Sequence, residues 1–121
     1  MNWSDFTFLG CMAFFVGHEI DATYRKEWRL LPLLRVMKDE TAAVWFVALH
    51  VPVVFFLLVL IALPEAGFAV VSRNVFSAFA AVHAGLHAFW PKSDLYLFDN
   101  TVSRSLIYGA GLFGALYLMP S

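Results

Sequence analysis

Four apolar stretches run along the chain, at residues about 6–23, 41–63, 67–90 and 102–119, separated by short polar breaks. Each approaches the roughly 20 residues that a helix needs to cross the hydrocarbon layer of a bilayer. The breaks carry end signals. Asp39, Glu40 and Thr41 give N-cap character before the second stretch, Pro64 stops it, and Pro91 stops the third. Asp99, Asn100 and Thr101 can cap the fourth. The pattern predicts an all-α integral membrane protein, a single domain over residues 1–121, with four transmembrane helices forming a bundle. The opening "MNWSD" has no basic n-region, so the first stretch is expected to stay as a span and not to be removed as a signal peptide.

Composition supports a lipid-facing surface. Hydrophobic residues make up 61% of the 121 positions and charged residues 14%, and the chain has 13 Phe and 4 Trp. Ordinary globular domains are about 45–50% apolar and about 25% charged. A formal net charge of -1 argues against a nucleic-acid partner. The one cysteine, Cys11, lies in an apolar run and has no internal partner for a disulfide.

The basic residues set the orientation. Arg25, Lys26, Arg29, Arg35 and Lys38 fall between the first and second spans, and Lys92 and Arg104 lie around the connection between the third and fourth. Cytoplasmic connections retain Lys and Arg, so both termini are expected on the non-cytoplasmic side. Segment 24–40 places Trp28, Leu30, Leu31, Leu33 and Leu34 among its cations, which suits an interfacial position in the headgroup plane, interrupted at Pro32.

With that topology, depth follows from the 1.5 Å rise per residue. His18 lies about 7 Å from the cytoplasmic end of its span, His50 about 13 Å into its own, and His83 and His87 about 10 and 5 Å from the cytoplasmic end of theirs. All four histidines fall in one half of the membrane. His83 and His87, at i and i+4, share a helical face, as do His18 and Asp21 at i and i+3, while Glu19 turns away by about 100°. Polar side chains in hydrocarbon are costly unless they face a bundle interior and find a partner. A metal is the strongest such partner for several imidazoles. The candidate site is therefore His18, His50, His83 and His87 around a divalent metal, Zn or Fe, with Asp21 or Glu19 as an extra ligand or general acid/base. The competing reading is interhelical hydrogen bonding, in which Asp21 serves only as the i+4 partner of Arg25.

Other residues are expected to shape the bundle. Pro52, two residues after His50, removes the bond to the Ala48 carbonyl and predicts a kink with room beside it. Arg73 and Asn74 are expected to snorkel or bond neighbouring helices. "YGAGLFGA", residues 108–115, predicts close helix packing, within the chain or across a dimer, and Tyr108 or Ser105 is the best polar candidate on that span.

The stretch "GHEIDATYRKEWRLLP", residues 17–32, resembles small multi-span bacterial membrane proteins named for an H-x-x-E-E motif. Asp21 stands where the first Glu of that motif would be, and Ala22 replaces the second. The resemblance implies a plain four-helix fold in the bacterial inner (plasma) membrane and a His–acid pair without a settled activity. Three function classes follow. A metalloenzyme would take a lipid, quinone-like or other apolar substrate from the bilayer. A haem protein would use axial histidines, with Gly17 and Gly85 making room for the macrocycle. A structural or accessory subunit, or a homo-oligomer, would bury the polar layer against a larger membrane complex.

Overall fold

The structure is a computed structural model and describes residues 1–120. Among the described residues the α-helices are α1 (Trp3–Tyr24), α2 (Asp39–Ala62), α3 (Gly67–Phe89) and α4 (Thr101–Leu118). The first connection adds a 3-10 turn at Glu27–Arg29. The helices pack as an up-down bundle, and α2 and α3 are each long and apolar enough to cross a membrane.

The helix ends follow local chemistry. Asn2 starts α1 by accepting from the Asp5 amide at 2.7 Å, and Asn100 starts α4 by accepting from the Ser103 amide at 2.9 Å. At α2 the expected capping does not occur. Lys38 holds the cap position without a side-chain bond, and Asp39 instead accepts from Trp28 Nε1 at 2.8 Å and from Arg29 at 2.9 and 2.7 Å. The first connection packs Trp28 and Leu34 into the hydrophobic cluster at that end of the bundle.

At Pro64 and Pro91 a helix carbonyl is left without its i+4 amide, and in both places a side chain substitutes. Leu60 would bond to residue 64, which is proline; Arg73 Nε and Nη2 donate to its carbonyl at 3.2 and 2.9 Å. Arg73 also reaches Asp5 at 3.1 Å and lies over the Phe8 ring. His87 would bond to residue 91, also proline; the Tyr96 hydroxyl donates to its carbonyl at 3.1 Å. Arg73 is thus buried and joins three helices, as its expected role of bonding neighbouring helices requires.

α4 packs extensively on both α1 and α3, whereas α2 meets its neighbours over few residues. Small residues allow the close approach. A Cβ on Gly114 would stand 2.6 Å from the Ser77 carbonyl oxygen of α3, and one on Gly111 would stand 2.5 Å from Ala84 Cβ. The small-residue run therefore serves contacts within the chain. One hydrophobic cluster joins Phe8, Met12, Phe15, Leu57, Leu60, Ala69 and Ala110. A second, at the opposite end, joins Ala22, Phe46, Ala84 and Ile107 to Trp28, Leu34 and Phe98 from the two connections. Phe98, 1% exposed, forms a floor directly beneath the histidines.

Candidate metal centre

α1 and α3 run side by side where their histidines lie, and the first connection supplies an acid. His18 sits in the last turns of α1 at 1% exposure, and His83 and His87 sit one turn apart on α3. His18 Nε2 lies 3.0 Å from His83 Nε2 and 3.8 Å from Glu27 Oε2. His87 Nε2 lies 3.4 Å from Glu27 Oε1. One ligand atom from each of His18, Glu27, His83 and His87 falls within 4.8 Å of all the others, so the four form a buried group that could hold a metal ion.

Glu27 enters this group because the chain reverses just before it. Lys26 has φ 57°, in the left-handed region that non-glycine residues seldom occupy, and the chain then turns back beneath α1. Burial acts to raise the Glu27 carboxyl pKa, but the His87 hydrogen bond and the charges of His18, His87 and His83 outweigh it, and the net direction is down.

Hydrogen bonding fixes one imidazole tautomer. The Tyr96 hydroxyl lies 3.1 Å from both the His87 carbonyl and His87 Nδ1; when its one proton serves the carbonyl that Pro91 leaves without an amide, Nδ1–H donates to Tyr96 Oη. In neutral His87 the Nε2 lone pair then points at the Glu27 carboxylate. Two acceptors facing each other across 3.4 Å need a cation between them, a proton or a metal. His18 Nδ1 is buried and has no hydrogen-bond partner among the described residues. Packing against Phe15 and Phe98, with ring centroids at 6.5 and 5.6 Å, orients that ring instead.

The fourth histidine lies apart from these three. His50 Nδ1 donates to the Phe46 carbonyl at 2.5 Å, and its Nε2 meets Glu19 Oε2 at 2.5 Å. Since Nδ1 is a donor, the second contact holds one shared proton, either as imidazolium with carboxylate or as imidazole with carboxylic acid. Asp21 also faces elsewhere, accepting from Ser103 Oγ at 2.5 Å and from Arg25 at 3.2 Å. The structure thus brings His18, His83 and His87 together, joins Glu19 to His50 as a separate pair, and ties Asp21 to α4. Neither glycine expected to make room for a macrocycle does so: a Cβ on Gly17 would meet Leu106 at 2.9 Å, and one on Gly85 would face open space away from the histidines.

Glu27, Tyr96 and Ser103 were not among the sequence candidates. On α4 the inward polar residue is Ser103, whereas Tyr108 is exposed and Ser105 bonds its own helix at Thr101. Tyr96 and Phe98 alternate with the exposed Leu95 and Leu97, a period-two pattern that marks an inward face in the second connection. Glu27 carries no comparable signal, because it is embedded among cations that suggest a solvated turn.

A cavity of about 120 Å³ reaches the group between Leu30, Leu31, Leu86 and Trp90, with Glu27, His83 and His87 on its inner wall. The chain can therefore present four donor atoms to one ion and admit a small group beside them. No curated protein and no solved structure matches the chain. Residues 4–121, which include all four members of the buried group, match DUF6713, a family of unknown function, and the chain belongs to that family.

Proposed function

We propose that this chain is an integral membrane protein whose four helices cross the bilayer with both termini outside, and that His18, Glu27, His83 and His87 hold one zinc ion at its cytoplasmic end. The apolar character of α2 and α3 supports the membrane placement, as does the exposure of residues such as Phe55, at 68%, which water would penalise and lipid would not. The cations Arg25, Lys26 and Arg29 lie at the same end as the buried group, in keeping with the positive-inside rule.

The observation that carries the metal reading is the convergence of four metal-ligating atoms, three imidazole nitrogens and one carboxylate oxygen, in one largely buried space. Three imidazole nitrogens and a carboxylate oxygen are zinc donors, and tetrahedral bonds of about 2.0–2.1 Å place ligand atoms about 3.3 Å apart. The His18–His83 contact of 3.0 Å and the contacts of 3.4 and 3.8 Å to the two Glu27 oxygens lie near that edge, and one ligand atom from each residue falls within 4.8 Å of the others. When bound, zinc acts as a Lewis acid and brings the pKa of a coordinated water to about 7. Tyr96 orients His87, Phe98 closes the inner side, and Leu30, Leu31, Leu86 and Trp90 keep the approach apolar. Those walls favour a metal-dependent enzyme acting on an apolar or lipid-like substrate.

A structural metal is the second reading, favoured by the fact that all four ligands come from the protein and from three separate segments. In that role the ion would staple the first connection to α1 and α3, as suits an accessory subunit. Haem is the least supported, since the imidazole nitrogens of facing helices stand 3.0 Å apart and neither Gly17 nor Gly85 opens a slot beside them.

The test is elemental analysis with a visible spectrum on detergent-purified protein, comparing wild type with the His83→Ala/His87→Ala double variant. One zinc per chain, absent from a variant that still melts cooperatively, is the expected result. No metal in either protein overturns the reading, and a visible absorption band would turn it toward haem. If chelation collapses thermal stability and no turnover of lipid or quinone-like compounds is found, the structural role holds.

A further inference from the structure

α2 stands off from the bundle at mid-height, leaving a cleft between it and α1. One side of this cleft has a volume of about 310 Å³, among Val16, Val47, Val53 and Leu57; the other has about 300 Å³, among Phe15, Phe46, Phe76 and Phe79. Glu19 and His50 line both sides, spanning from α1 to α2 through their 2.5 Å bond. Exposed Ile20, Val47 and Val54 surround the mouth, so the cleft opens sideways into the apolar surroundings of the bundle.

The polar chemistry inside is narrow. His50 has both ring nitrogens engaged, and Glu19 Oε2 is taken by His50. Among the described residues Glu19 Oε1 has no hydrogen-bond partner, and the fully buried side-chain atoms without one are His18 Nδ1 and Ser77 Oγ. Whichever partner carries the shared proton, Oε1 is an acceptor and the pair as a whole is neutral. An ionic head of either sign would therefore be desolvated without a counter-charge.

We propose that this cleft binds a lipid-soluble molecule with a neutral aromatic hydroxyl head, of the quinol class, its O–H donating to Glu19 Oε1 and its ring lying among Phe15, Phe46, Phe76 and Phe79. The proposal rests on the membrane placement argued above and is independent of the metal. The apolar tail leaves from the same side past the exposed Leu49 and Val53, and the phenylalanine edges receive the ring face.

The test uses the full chain in detergent and a decyl-hydroquinone probe kept reduced, with equilibrium dialysis as the readout. The oxidised decyl-quinone, which lacks the O–H donor, and decylbenzene, which lacks oxygen, serve as comparison probes. Saturable binding of one reduced probe per chain is expected, about tenfold or more weaker for the two comparison probes, for Glu19→Leu and for Val53→Trp. Val53, 42% exposed on the cleft wall, takes the larger side chain without disturbing the buried group, so the test survives if Glu19→Leu does not fold. Equal binding of all three probes, absence of saturation, or unchanged affinity in Val53→Trp overturns the proposal. Zinc content measured on the same samples reports the metal separately, and membrane fractionation reports the placement. Probe binding without metal sinks only the metal reading, and metal without probe binding sinks only this one.

Discussion

Replacing Tyr96 by Phe removes one oxygen and leaves the ring that packs on Phe98 and His87, at centroid distances of 5.5 and 5.8 Å. That oxygen has two roles. It accepts from His87 Nδ1, holding the tautomer whose Nε2 lone pair faces Glu27, and it donates to the carbonyl that Pro91 leaves without an amide. Loss of an outer partner of a metal-bound histidine lowers affinity by about 10–100-fold, or roughly 1.4–2.8 kcal/mol at about 1.4 kcal/mol per tenfold. The orphaned carbonyl adds about 1–3 kcal/mol to the cost of folding. Competition with a chromophoric chelator measures the first quantity, and thermal melting of the metal-free protein measures the second. Zinc affinity within twofold of wild type would refute the argument that Tyr96 sets the His87 tautomer for binding. A drop in affinity equalled by the drop in metal-free stability would show that Tyr96 acts through the fold alone.

Three further outcomes follow from the same geometry. Arg73→Met keeps much of the apolar stem but strands the Leu60 carbonyl, so a loss of about 1–3 kcal/mol is expected in melting or denaturant experiments; an unchanged stability would mean that the guanidinium is not needed there. Gly114→Leu forces a side chain against Ser77, where even a Cβ would approach to 2.6 Å, and a loss of about 1–3 kcal/mol is expected, while Gly67→Ala, with open space around it, should be neutral or slightly stabilising. Metal occupancy should be complete at and above neutrality and fall on acidification, because protons and metal compete for the same lone pairs. Metal retained without loss down to a pH at which the protein stays folded and free imidazoles and carboxylates are all protonated would show that these residues do not hold it.

Height along the bundle was legible in the sequence; direction around each helix was only partly so. Pro64, Pro91 and Asn100 mark the ends they were read to mark, and the i, i+4 spacing of His83 and His87 suffices to put them on one face. His50 lies in the same layer as the other histidines, yet α2 is apolar around its whole circumference and carries no stripe that would say which way its imidazole points. In the fold it turns toward Glu19. The same limit hid the acid of the buried group. Asp21 is one helical turn from His18 and was the natural partner by spacing, but Ser103 of α4 and Arg25 hold it, while Glu27 arrives through a reversal at Lys26 that no Gly or Asn announces. Long-range contacts decided both outcomes, and helical periodicity does not carry them.

The reversal at Lys26 also bears on the order in which the protein can be made. It brings His18 and Glu27, nine residues apart in the chain, into one group, but their partners on α3 come 56 residues later, from Glu27 to His83. At about 5–20 residues per second of synthesis, the first half of the cluster waits about 3–11 s for the second. During that interval a carboxylate and an imidazole stand together with their eventual companions still unmade. Completion of the cluster therefore marks the arrival of the third helix, and any ion captured there registers that α1 and α3 have met, with α4 still to be added.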